Sequence, residues 1–433
     1  MKSEIFISII IITSFISCDS NISQNNPPNI IIIMADDLGY GDLSIYGNKT
    51  IQTPNIDLLG NDGLIMTDFH SNGTVCSPTR AALLTGKYQH RVGVKGVITA
   101  KNHRHIGLPL EEKTFAETAK EVGYKTAIFG KWHLGYDPKF NPIQQGFDEY
   151  VGFVSGNVDY HSHVDQEGFE DWWSGNKLKK EFGYSTDLIN QHAVNFIKRN
   201  KDERFLLYIA HEAPHYPIQG RASPAEREIG SKKFKASGSE KNKSKIYKEM
   251  IEVMDEGIGK VIKTISELKL DKKTVVFFFS DNGGTKLGSN GELRAYKGSV
   301  YEGGHRVSAV VWSPELIEAG RISKETIMTM DIYPTVSDLI GAIPPKDIDG
   351  VSFKNHLLDG EKAKERSLFW EYNSNLAMRK DQWKMVIGRK NKIPELYNLQ
   401  DDLGETSNLA EENSELISEM MKEIEAWKKY IEL

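Results

Sequence analysis

Cysteine is nearly absent. Two residues, Cys18 and Cys76, in a chain of 433 allow at most one bridge, so this is not a disulfide-stapled scaffold. A chain of this length buries enough surface to fold without staples. Runs of positive charge are missing too: five basic residues never follow one another, and the formal net charge is -6, which argues against nucleic acid as a general partner. No cysteine and histidine spacing of the zinc type occurs, and no internal repeat has a solenoid period. Length alone allows two or three ordinary domains, or one large α/β domain with a small appendage.

Long apolar runs are also lacking. Residues 5–16, IFISIIIITSFI, follow Lys2 and are too short for a permanent transmembrane helix but fit the core of an export signal. The run ends Phe15-Ile16-Ser17-Cys18, which resembles the loose lipobox of bacterial lipoproteins, in which the cysteine becomes the lipidated N-terminus. The expectation is a signal peptide over 1–17, a lipidated Cys18, and a polar tether over 18–27. The protein would then be exported and held to the cell envelope, at the periplasmic or outer side of an outer membrane, by summed burial of acyl methylenes. The alternative is an ordinary cleaved signal that contains a cysteine.

From Pro28 the texture is that of an α/β protein. Runs rich in β-branched and aromatic residues at 29–34, 126–129, 205–210, 274–280 and 307–312 read as strands buried on both faces. Amphipathic helices are predicted over 110–122, 186–199, 245–269 and 328–340. Alternation of the two implies a large, mostly parallel sheet covered on both sides. The pattern changes near Pro344-Pro345, so the expected division is a main domain over 28–345 and a small α+β subdomain over 346–433 with a closing helix over 411–430. Residues 223–245, rich in Lys, Ser and Gly, read as a surface loop.

Four of the five strands run straight into polar clusters. These are Asp36-Asp37, Lys131-Trp132-His133, His211-Glu212-Ala213-Pro214-His215 and Asp281-Asn282-Gly283-Gly284. Each alone reads as a turn or cap. Four at the carboxyl edge of one parallel sheet read as a site, because ligands of open sheets bind there. Asp36, Asp37, Asp281 and Asn282 offer only oxygen, which suits a hard cation, Ca²⁺ in preference to Mg²⁺, and not zinc.

Residues 76–86, CSPTRAALLTG, match throughout their length the pattern C-x-P-x-R-x-x-L-L-T-G, and the chain is thereby identified as a member of the type I sulfatases, which have an alkaline phosphatase-like fold. The four clusters follow in family order, as does Lys297-Gly298-Ser299-Val300-Tyr301-Glu302-Gly303-Gly304. The resemblance implies that Cys76 is oxidised by a maturase to Cα-formylglycine, whose hydrated, metal-bound form attacks the sulfur of a sulfate ester. It further implies metal ligation by Asp36, Asp37, residue 76, Asp281 and Asn282. Lys131 and Lys297 would neutralise sulfate oxygens, His215 would protonate the leaving alcohol, and His133 would take the proton that restores the aldehyde. Local geometry adds that Pro78 should open a helix with Cys76 just before it, where free amides favour negative charge. Arg80, about one turn on, should then reach back towards position 76.

His305 departs from the family pattern and is expected to touch substrate. So are His161 and His163, with His103, Arg104 and His105 at the edge of a sugar subsite. The resemblance, with the expected export, implies an enzyme acting on a sulfated polysaccharide, with ulvan narrowly ahead of carrageenan. The alternatives are a phosphonate or phosphate monoester hydrolase of the same superfamily, and an inactive surface glycan-binding protein. If both cysteines are consumed in this way, mass spectra of the mature N-terminal peptide and of the peptide spanning 74–80 should show no free thiol; an unmodified Cys76 in active protein would remove the aldehyde chemistry.

Overall fold

The computed structural model describes residues 27–432; the expected signal, the lipidated Cys18 and nearly all of the tether lie outside them. The run NIIIIMA has no polar alternation, so a strand made from it needs cover on both sides. It forms β1 (Asn29–Ala35), buried at every position, in the middle of a ten-stranded sheet. Beside β1 lie, all parallel, β2 (Lys125–Lys131), β3 (Phe205–Ala210) and β4 (Thr274–Ser280), in the order β4-β1-β3-β2.

Side chains of β1 alternate between two apolar layers. Ile30, Ile32 and Met34 join the layer built on the helices α2 (Cys76–Thr85), α3 (Phe115–Glu121) and α6 (Ile332–Ile340). Ile31, Ile33 and Ala35 face the opposite layer, built on α1 (Pro54–Asn61), α4 (Ser185–Arg199) and α5 (Lys243–Glu267). Complete burial of one such Ile contributes roughly 1.5–3 kcal/mol.

Three segments differ from the sequence reading. The expected strand over 307–312 is split at Ser308. Arg306–Val307 pairs with Phe69–His70 in a separate three-stranded sheet, and β5 (Ala309–Trp312) runs antiparallel to β4. The apolar residues 309–312 carry no signal of strand direction, and the one polar residue of the run, Ser308, is where the sheet changes. The helix expected from residue 110 starts only at Phe115, where Thr114 and Glu117 form a reciprocal capping box. The helix expected over 328–340 opens with a 3-10 turn, Thr329–Asp331, before α6.

The C-terminal part is a four-stranded antiparallel meander, β6 (Leu368–Tyr372), β7 (Asn375–Lys380), β8 (Trp383–Ile387) and β9 (Pro394–Asn398), backed by α7 (Ser414–Ile431). Its core takes in Ala82 of α2 together with Val300, Met328 and Met330, so this part packs directly behind the helix that begins at Cys76.

Charge is buried at this junction. Lys384 of β8 lies fully buried between Glu302 Oε1 at 2.8 Å and Glu405 Oε1 at 2.9 Å, while the Glu302 amide donates to Glu405 Oε2 at 2.7 Å. Lys384→Met should leave buried Glu405 without a cation and Glu302 with Arg306 alone, and cost about 3–5 kcal/mol, read as a lowered melting temperature; an unchanged melting temperature would show that the junction contributes nothing to stability.

Candidate active site

The four parallel strands end at one edge and deliver their polar clusters to one place. Two of the delivered residues, Asp37 (φ 66°) and His133 (φ 57°), hold left-handed backbone conformations. Such conformations cost on the order of 1–3 kcal/mol each and persist where the surroundings impose them. Gly283 is required for a different reason: a Cβ there would lie 1.9 Å from the Gly303 carbonyl oxygen. That close approach lets Gly283 N donate to Gly304 O and Lys297 N donate to Gly284 O, both at 3.0 Å, which brings the Lys297 segment over the metal-ligand candidates.

Helix α2 begins at Cys76 itself, with Val75 as its cap, and Pro78 is the third helical residue instead of the first. The correction is small physically, because the third position still belongs to the turn whose N–H groups have no partner within the helix. Arg80 is a larger correction. Its hydrogen bonds do not go to position 76: its guanidinium donates to Asp36 Oδ2 at 3.2 Å, Asp281 Oδ2 at 3.1 Å and the Lys131 carbonyl at 2.9 Å. One turn of helix carries the guanidinium beneath residue 76, where it ties the two carboxylates together.

Lys131 ion-pairs with Asp36, both fully buried. Lys297 Nζ donates to Asp37 Oδ1 at 2.5 Å and stands 3.3 Å from Cys76 Sγ. Three carboxylates thus meet three fixed cations, Arg80, Lys131 and Lys297. Burial pushes the Asp36 carboxyl up, but Lys131, His215, Arg80 and Lys297 outweigh it and hold the group well below the ordinary range. Burial, with Asp36 and Cys76 as neighbours, pushes Asp281 up. Burial raises the Cys76 thiol, yet Lys131 and Lys297 bring it down to about 7, so negative charge is favoured at this position.

The two histidines are set up differently. His133 Nε2 lies 3.0 Å from the Ile98 carbonyl oxygen and must donate to it, which leaves Nδ1 unprotonated, and Nδ1 has no other partner. Burial, then Lys131 and Arg80, hold its pKa well below the ordinary value, so the ring is a neutral base. His215 donates from Nδ1 to the Tyr216 carbonyl at 2.6 Å, which turns Nε2 towards Asp37 Oδ2, 3.7 Å away.

The donor set fits a hard cation. Asp36 Oδ1, Asp37 Oδ2 and Asn282 Oδ1 are buried oxygens without a hydrogen-bond partner, and Asn282 has already used its amide on Asp37 Oδ1 at 2.8 Å. Ligand atoms of Asp36, Asp37, Cys76 and His215 lie within 4.8 Å of one another. Oxygen donors in this number suit Ca²⁺ or Mg²⁺. Added to Arg80, Lys131 and Lys297, a divalent cation would tip the site positive, which is what an anionic ester requires.

A cavity of about 480 Å³ opens on Cys76, Asp37, His133, His215 and Lys297. Its walls are residues 97–102, Tyr136, Ser155, Gly156, Asn157, Gln166, Glu167, Tyr216, Thr285 and, from the C-terminal meander, Tyr372. Most of these were not legible in sequence, being ordinary polar or aromatic residues that only the tertiary fold brings to one rim.

Three expected substrate contacts lie elsewhere. His305 is fully buried at the meander junction, stacked on Trp370 at 4.1 Å and 3.0 Å from His70 Nδ1, with no surface to offer a sugar. His161 and His163 line a separate cleft of about 430 Å³. The Asp159 carboxylate accepts from the His161 and Ser162 amides and turns the chain. His161 Nε2 then pairs with Gly220 O at 3.0 Å, and His163 stacks on Trp172 at 4.3 Å. His103 Nδ1 accepts from the Thr99 amide, and Arg104 lies over the Phe169 ring at 4.4 Å; neither, nor His105, lines the cavity.

A cation-ready oxygen cluster beside a position that favours negative charge, with two lysines and two histidines around it, defines a hydrolase of anionic esters. The chain belongs to the sulfatase family: the model described as Sulfatase matches residues 28–342, and that described as N-sulphoglucosamine sulphohydrolase, C-terminal, matches 291–430. N-acetylgalactosamine-6-sulfatase of Homo sapiens is 34% identical over 373 residues, covering 79% of this chain and 68% of that protein. Arylsulfatase A of Homo sapiens is 34% identical over 379 residues, covering 79% and 70%. Among solved structures, Ps i-CgsB matches with a TM-score of 0.84 at 31% identity over 93% of each chain, both alone and in complex with k-i-k-neocarrahexaose. The protein is accordingly a sulfuric ester hydrolase. Calcium should raise its melting temperature, by the equivalent of roughly 2.7 kcal/mol at a hundredfold excess over Kd, and Asp37→Ala should remove that shift; a wild-type melting temperature indifferent to calcium and to chelator would count against the oxygen cage.

Proposed function

We propose that this enzyme removes sulfate from a sulfated carbohydrate, using an aldehyde formed from Cys76 and a bound Ca²⁺. The observation that carries the reading is the placement of residue 76 at a cavity floor within reach of Lys297, beside three partnerless buried oxygens. The cation would supply a Lewis acid, and the hydrate of the aldehyde would supply a hydroxyl nucleophile. The remaining roles belong to side chains already in position. Lys131 and Lys297 hold charge on the sulfate oxygens, and Arg80 ties Asp36 to Asp281 and aligns them. His215 gives a proton from Nε2 to the leaving alcohol. His133 accepts a proton at its free Nδ1.

A carrageenan-type galactan is favoured as the substrate. On sequence grounds ulvan stood narrowly ahead; likeness to a protein crystallised with neocarrahexaose supports the reverse order. Export and anchoring through Cys18 are proposed on sequence alone.

Turnover of 4-nitrophenyl sulfate should exceed that of 4-nitrophenyl phosphate, and preference for phosphate would overturn the reading. Cys76→Ala should abolish sulfate release at a nearly unchanged melting temperature, whereas His215→Ala and Lys297→Ala should each lower kcat by roughly 10²–10³; appreciable turnover by Cys76→Ala would remove the covalent route.

A further inference from the structure

Residues 231–245, SKKFKASGSEKNKSK, hold six lysines and one glutamate in a chain whose net charge is -6. Lys232, Lys233, Lys235, Lys241 and Lys245 are exposed. Lys232 pairs with Glu167 at 2.5 Å and Lys243 donates to Ser237 Oγ at 2.5 Å. Among the described residues, Lys233, Lys235, Lys241 and Lys245 have no carboxylate partner. A cluster of like charges repels itself, and the nearby carboxylates Glu226 and Glu240 are engaged by Ser239 and Ser223 instead of by these lysines.

The segment is fastened to the rim of the active cavity. Glu167, the partner of Lys232, lines that cavity. Phe234 lies 4.8 Å from the guanidinium of Arg227, which in turn donates to Asn157 Oδ1 at 2.7 Å, and Asn157 is another wall residue. Gly230 N donates to Gly168 O at 2.8 Å and Ile218 N to Ser237 O at 3.3 Å, so the loop is held between the strips 166–168 and 215–218 that border the cavity. The cavity itself, about 480 Å³, is sized for a small ligand. A polymer with its ester at residue 76 must continue over the rim.

We propose that Lys233, Lys235 and Lys241 form a cationic track that holds the sulfate groups of neighbouring sugars in a polyanionic glycan strand. The proposal rests on the sulfated-carbohydrate reading above and deepens it: the substrate is a strand longer than the cavity. Attraction between exposed charges acts chiefly on encounter, so the track raises kcat/KM for polymer and is weakened by salt.

The test compares wild type with the triple variant Lys233→Ser, Lys235→Ser, Lys241→Ser, and with the three positions changed to Arg. Native electrophoresis through gels containing ι-carrageenan, with agarose as the unsulfated control, reads binding. The Ser variant should lose most of its retardation and the Arg variant should keep it. Sulfate release from the same galactan should fall about tenfold in kcat/KM in the Ser variant, with a flatter dependence on NaCl and unchanged turnover of 4-nitrophenyl sulfate. Equal retardation of wild type and Ser variant would overturn the proposal. So would intact retardation accompanied by lost binding to phosphatidylglycerol vesicles, which would assign the lysines to a membrane surface. If wild type is retarded through these lysines but releases no sulfate from any sulfated carbohydrate, the carbohydrate reading falls while the cationic track stands.

Discussion

Everything at the active edge depends on burying three carboxylates within a few ångströms of one another. Asp36, Asp37 and Asp281 leave the ends of β1 and β4 side by side, in a region from which water is excluded, where like charges without neighbours would stay protonated. Arg80 and Lys131 answer Asp36 and Asp281 from below, and Lys297 answers Asp37 from the cavity side. Each of the three carboxyl groups therefore has a cationic side chain beside it before any metal arrives. The oxygens left without partners, on Asp36, Asp37 and Asn282, are those a cation can take without displacing a protein hydrogen bond. This also sets the register of α2, because Arg80 reaches both carboxylates only if Cys76 stands above them.

The same constraint explains the small C-terminal meander. Lys297 sits on a long loop, and a loop is a poor support for a group that must be placed to within a fraction of an ångström. The loop is gripped on its inner side by Thr74 and Gly284 carbonyls. Its outer side is gripped by Lys384 and Glu405, which fasten Glu302, and by Glu395, which accepts from Tyr301 Oη at 2.6 Å. His305, expected as a substrate contact, belongs to this grip. His305 Nε2 stands 3.1 Å from both the Lys384 ammonium and the Val300 carbonyl oxygen, and the chain of contacts continues through His70 to Asp68. Tyr372 then extends from the same meander to the cavity wall.

Much of this was legible from residues. The strands at 205–210 and 274–280 keep the expected boundaries, because continuous β-branched and aromatic runs flanked by polar clusters leave little freedom. Part of the candidate site was legible for a related reason: Asp36, Asp37, Lys131, His133, Asp281 and Asn282 sit at strand ends, where periodicity stops, whereas Cys76 and Arg80 belong to the C-x-P-x-R frame and Lys297 to a loop. The histidines misled. His161, His163 and His305 sit in hydrogen-bond-rich stretches that look like binding segments, but a histidine satisfied by a backbone carbonyl or a buried lysine has the same sequence signature as one facing a ligand. Strand direction for 309–312 was equally invisible, since an apolar run reads alike in both senses.

By itself the sequence determined which residue types stand where: a cysteine in an eleven-residue frame, oxygen-bearing side chains after two strands, and lysines and histidines after the others or in a loop. These are decisions of residue type and short spacing, which covalent geometry transmits over one or two turns. Only tertiary structure decided which groups share a cavity. Arg80 was sent to the carboxylates, Glu167 and Tyr372 were brought to one rim, and an unremarkable lysine-rich loop was fastened beside it. Those contacts join residues hundreds of positions apart, and they are selected by how layers pack and which buried charges must be answered, neither of which any local stretch of sequence contains.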